Sequence, residues 1–177
     1  MTTTWPASRF WDFSLERYGR PGVEAACLAL QDAHDMDVNL VLLAAWLAQD
    51  GRRLAPPLAT RLRQLGDGWQ ARVMQPLREA RRALKAHGPG ADLAPLGADC
   101  RRALLRVELD LERLEQLQLE RLTAAAMADA AALPATLFWT NLAALYPDRE
   151  LPRDILSLLA ARLTETTSVV PGEHPSA

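Results

Sequence analysis

Residues 37–51 read DVNLVLLAAWLAQDG. From Leu40 to Ala48 every residue is apolar, so a helix drawn through them has no polar face. Such a helix belongs at the centre of a bundle. Asp37 is a good N-cap for it, and Gly51 closes it in the position where glycine tolerates a left-handed turn. The apolar run is too short to span a bilayer.

The composition extends this reading to the whole chain. Among 177 residues there are 31 Ala and 32 Leu but only 7 Val and 1 Ile. Ala and Leu are strong helix formers, whereas strands favour β-branched residues. The expected fold is all-α, a single compact bundle of seven to eight helices. A flexible tail is expected at 1–7, one helical domain at 8–165 and a disordered tail at 166–177. The formal net charge of −2 argues against a nonspecific nucleic-acid partner. Cys27 and Cys100 lie apart in apolar helical runs, which suits two free thiols in a reduced cytosol. No basic segment followed by an apolar one opens the chain, so no signal peptide is expected and the location reads as cytoplasmic, without integral membrane association.

Proline and glycine set the expected helix limits. Ser8 caps a first helix ending at Tyr18, and Pro21 stands in the first turn of a second reaching His34. Pro56 and Pro57 open a fourth helix to Leu65, which Gly66, Asp67 and Gly68 should break or bend. Asp67 could cap a fifth segment, Trp69 to His87, with a kink or a change of helix at Pro76. Residues 87–98 read as a loop. The longest helix is expected from Asp99 to Ala126, packing through Leu104, Val107, Leu111 and Leu114. Leu105, Leu109, Leu117, Leu119 and Leu122 widen its apolar surface. Two shorter helices follow at 135–146 and 153–165.

Residues 10–51, FWDFSLERYGRPGVEAACLALQDAHDMDVNLVLLAAWLAQDG, with Trp69 and PLREARRALK at 76–85, carry a resemblance. The text resembles an uncharacterised family of small proteobacterial helical proteins, a domain of unknown function. The resemblance covers residues 8–125, with CLALQDAHDMDVNL as its most specific phrase. It implies a bacterial origin and an all-helical fold. It implies no activity and brings no catalytic residue.

Three constellations are candidate sites. The first is a polar knot of Asp32, His34, Asp37 and Asn39, with Asp35, at the turn before the apolar helix. A histidine among carboxylates can serve acid–base or metal chemistry. The plainer reading is a capped interhelical turn, and no metal is expected. The second is the aromatic helix of Phe10, Trp11, Phe13 and Tyr18, whose two aromatic faces suit a core contact and a binding groove. The plainer reading is a lid on the bundle end. The third is the stripe Arg78, Arg81, Arg82 and Lys85, which could hold an anionic ligand or an acidic partner. The plainer reading pairs it with acids on the long helix, among them Glu108, Asp110, Glu112 and Glu115.

No hydrolase elbow, phosphate loop or metalloprotease motif is present, so no catalytic residue and no cofactor are expected. The first expectation is a noncatalytic protein that binds a protein partner or itself, as a homodimer through 104–122. The alternative is a carrier or enzyme with an apolar cavity for a small amphipathic ligand, with an anionic head as one option, its mouth lined by Trp11, Trp46, Trp69 and the arginine stripe. Cavity geometry separates the two: about 300 Å³ or more with convergent polar groups favours the alternative.

Overall fold

The computed structural model describes residues 4–125, 127–128 and 132–165. Among these residues eight α-helices form one bundle: α1 (Arg9–Tyr18), α2 (Val23–His34), α3 (Val38–Gln49), α4 (Pro56–Trp69), α5 (Gln75–Ala86), α6 (Ala94–Leu122), α7 (Pro134–Leu145) and α8 (Arg153–Thr164). The expected tail at 166–177 and residues 1–3 lie outside the described residues. Trp5 is half-buried and faces the Arg113 guanidinium at 4.9 Å.

Helix α3 is the centre, as its sequence requires. Every residue from Leu40 to Ala48 is buried, and the helix touches α1, α2, α4, α6, α7 and α8. Asp37 caps it by accepting from the Asn39 amide at 2.9 Å. Ser8 caps α1 by accepting from the Trp11 amide at 3.0 Å. Trp46 is buried and stacks on Phe10, ring centroids 5.3 Å apart.

Four expectations are corrected. Pro21 precedes α2 rather than opening it; Gly22 is the N-cap with φ 84°, a left-handed conformation that glycine adopts without strain. Helix α4 runs through Gly66, Asp67 and Gly68 without a break, so Asp67 caps nothing. The loop after α5 is shorter than expected, because α6 begins at Ala94. A short strand pair also appears: β1 (Arg52–Arg53) pairs antiparallel with β2 (Met127–Ala128).

Pro76 does bring a change of helix. Residues Gln70–Met74 form a π-helical turn, and the Gln75 amide donates back to the Gln70 carbonyl. A proline has no amide hydrogen and its ring clashes with the preceding turn. The wider turn carries the chain past it from α4 into α5.

The largest departure is the facing of α6. Glu108, Glu115 and Gln116 are buried with Leu117 and Leu119, while Leu105, Val107, Leu109 and Leu114 stay exposed. The stripe expected to pack is therefore turned largely outward. Leucines surround this helix, so they do not choose a face. Polar anchors do: Asn39 holds Glu115 at 2.6 Å, and Ser8 donates to Glu120 at 2.5 Å.

Candidate functional site

A cavity of about 460 Å³ lies among α1, α2, α3, α5 and α6. Its geometry follows from the local structure of each wall. The Ser8 cap sets α1 so that Phe10 and Phe13 enter the core, while Trp11 and Tyr18, seven residues apart, line the cavity. Helix α2 adds Cys27 and Leu28, and α6 adds Leu105 and Leu109. Leu15, Leu28, Leu105 and Leu109 are all lining residues and all largely exposed, so they form an apolar mouth.

The floor is polar. Asn39 donates to Glu115 Oε2 at 2.6 Å and accepts from Gln116 Nε2 at 2.8 Å. Gln70, on the π-helical turn, donates to the same Glu115 oxygen at 3.3 Å. Arg78 donates to Gln70 at 3.1 Å and to Glu112 at 3.2 Å. Asp37 and Glu115 hydrogen-bond each other through their side chains. Two carboxylates cannot do this, so one of them carries a proton.

Burial pushes both carboxyls up, Glu115 to about 10. Asp37 is pulled back by its bond to Glu115 and by the amides of Asn39 and Leu40. The N-terminus of α3 also favours negative charge there. The proton of the pair therefore rests on Glu115, which donates to Asp37. The Glu112 carboxyl is also raised by burial, with the Arg78 cation opposing it. Burial lifts the Cys27 thiol to about 12, which leaves it protonated and unreactive at neutral pH. Tyr18 is likewise pushed up to about 12, chiefly by burial, so its phenol stays neutral.

Gly66 explains how the floor closes. A Cβ there would stand 2.7 Å from Asp37 Oδ2 and 3.1 Å from Leu40 Cδ1. Without one, α4 passes directly over the capped end of α3. Tyr146, from α7's C-terminal end, is buried nearby, and its phenol is raised by burial and by the Asp37 charge.

The predicted site residues divide. Of the polar knot, Asp37 and Asn39 turn inward. Asp32 is exposed and pairs with Arg82 at 3.6 Å. His34 offers its backbone carbonyl to Arg149. Of the arginine stripe, Arg78 lines the cavity, and Arg81 donates to Glu108 at 2.6 Å. These pairs run antiparallel between α5 and α6 and engage Arg78 and Arg81, while Arg82 and Lys85 do not line the cavity. Trp11 lines the cavity; Trp46 is in the core, and Trp69 is not among the lining residues. Among the described residues no group of three or more His, Cys, Asp or Glu side chains is placed to hold a metal ion.

Sequence reasoning missed Gln70, Gln116 and the Asp37–Glu115 bond. One signal was present: Glu108, Glu112 and Glu115 repeat the i, i+4, i+7 spacing of Arg78, Arg82 and Lys85. A second cavity, of about 510 Å³, shares Asp37, Gln70 and Arg78 with the first. A third, of about 820 Å³, is lined by His34 and the α7–α8 connection.

The molecule is thus an all-helical bundle with an apolar-mouthed, polar-floored cavity. The chain belongs to the family described as protein of unknown function (DUF2390), whose model matches residues 9–119. The match takes in every lining residue of the 460 Å³ cavity and stops before α7. No curated protein and no solved structure is significantly similar to the chain. No helix among the described residues is long and apolar enough to cross a membrane.

Proposed function

We propose that this protein is a noncatalytic cytoplasmic carrier or sensor that binds a small amphipathic molecule in the cavity of about 460 Å³. One observation carries the reading. Exposed leucines of three helices converge at the mouth of a space whose floor holds a hydrogen-bonded polar cluster. Small-molecule sites have this character: a concave, mostly apolar wall with a few convergent polar groups. The volume exceeds the threshold set above, which favours the ligand reading over a purely macromolecular contact. Two free cysteines, with Cys27 buried, suit a reducing compartment.

The test is displacement of a neutral apolar fluorophore, N-phenyl-1-naphthylamine, by alkyl amphiphiles of increasing chain length. Wild-type protein should bind the fluorophore saturably, and affinity for the competitors should rise with chain length. Leu28→Asp and Leu105→Asp change half-exposed mouth residues, so folding should survive. Each should weaken binding about tenfold or more, the loss expected when one leucine contact with an apolar chain is removed. Absence of saturable binding, or unchanged binding in both variants, overturns the reading.

A second reading, self-association through α6, rests on Val107 and Leu114. They are exposed, one heptad apart, and neither lines the cavity.

A further inference from the structure

The cavity floor is unbalanced in its hydrogen bonding. Gln116 is 2% exposed and lines the cavity. Its Nε2 donates to Asn39, and its Oε1 meets no donor among the described residues. A buried acceptor left unpaired bears the full desolvation penalty of its group.

The charges lean the same way. Asp37, Glu108 and Glu112 line the cavity against one cation, Arg78. Both terminal nitrogens of Arg78 are engaged, by Gln70 and by Glu112. Arg81 balances Glu108 from outside the lining. When these two ion pairs are set aside, the Asp37 carboxyl is left over, with no cation paired to it among the lining residues. Its carboxyl partner, Glu115, holds the proton and adds no positive charge. A carboxylate or phosphate head would bring a further acidic group to a wall already lined by Asp37, Glu108 and Glu112. A protonated amine has three donors, no acceptor and one positive charge, the complement of what the floor presents.

Resting on the ligand reading above, we infer that the polar end of the bound molecule is an alkylammonium group, donating to Gln116 Oε1 and lying beside Asp37 and Glu112. The alkyl chain then runs outward past Leu105 and Leu28. An ammonium in this position satisfies the Gln116 oxygen and supplies the cation that the Asp37 carboxyl lacks.

Titration calorimetry on the full chain at neutral pH tests this with three probes of one chain length: decylamine, decanol and decanoate, each below its aggregation concentration. Decylamine should bind about tenfold tighter than decanol or more, as hydrogen bonds to a charged group allow. Decanoate should bind weakest. Gln116→Leu should remove about tenfold of the decylamine affinity and change decanol by less than about twofold. Glu112→Gln should lower decylamine affinity in the same direction, and serves alone if Gln116→Leu does not fold. Equal affinity for decylamine and decanol, or tightest binding of decanoate, overturns the ammonium head but leaves the amphiphile reading standing. So does a decylamine affinity that neither folded variant changes. Failure of all three probes to bind overturns both.

Discussion

Asp37 combines two tasks in one carboxyl group. It caps the most buried helix of the fold, and it shares a proton with Glu115, which no solvent reaches. The consequence for stability has a definite sign. Glu115 has a pKa of 4.5 as an ordinary carboxyl and about 10 in the folded protein. Between those values the folded state keeps a proton that the unfolded chain releases. Stability therefore falls as pH rises across that interval, and the contribution is fully present only below its lower end. Glu115→Gln keeps a donor toward Asp37 and cannot titrate. It should match wild type below about pH 4.5 and become progressively the more stable protein as pH rises toward 10, in urea unfolding followed at several pH values. A stability difference that stays constant with pH would contradict the shared proton.

At the scale of elements, the two glycines of α4 have opposite meanings. A methyl group at Gly66 would strike Asp37 Oδ2, on a buried carboxyl whose other oxygen, Oδ1, is fixed by the helix-cap bond. Gly66→Ala should cost about 1–3 kcal/mol, as overpacking of a fixed neighbour does. At Gly68 the methyl group would meet only the end of the Arg72 side chain, which can swing away. Gly68→Ala should be neutral or gain up to about 1 kcal/mol, since alanine is the better helix former. Thermal unfolding of the two variants checks this, and equal effects would remove the close approach of α4 to α3 as the cause. Helix α5 shows a different economy. It contributes no fully buried residue, and Arg78 and Arg81 tie it to α6 across the side of the cavity.

For the whole molecule, the exposed apolar surface of α6 is shared between two uses. Leu105 and Leu109 belong to the cavity mouth, whereas Val107 and Leu114 do not. A dimer with the same patch on both subunits would bury the second pair. Light scattering at micromolar concentration separates the cases: a mass near 19.5 kDa excludes the dimer. If a dimer forms, Val107→Glu and Leu114→Glu should dissociate it and leave each subunit folded. Leu119→Glu should instead unfold the chain, because Leu119 is wholly buried within a single copy.

Much of the architecture was legible in local sequence. The excess of Ala and Leu over Val and Ile specified helices, and Ser8 and Asp37 specified where two of them start. The apolar run from Leu40 to Ala48 specified which helix lies at the centre. These properties depend on residues within a turn or two along the chain, so the chain alone reveals them. The facing of α6, the passage of α4 through Gly66 and the meeting of Asp37 with Glu115 depend on residues far apart in the chain. Leucines on every side of α6 made several packings equally apolar, and only pairing with Asn39, Ser8, Arg78 and Arg81 selected one. A buried polar group must find its partner wherever the fold brings one, and for that reason tertiary structure alone decided the floor of the cavity.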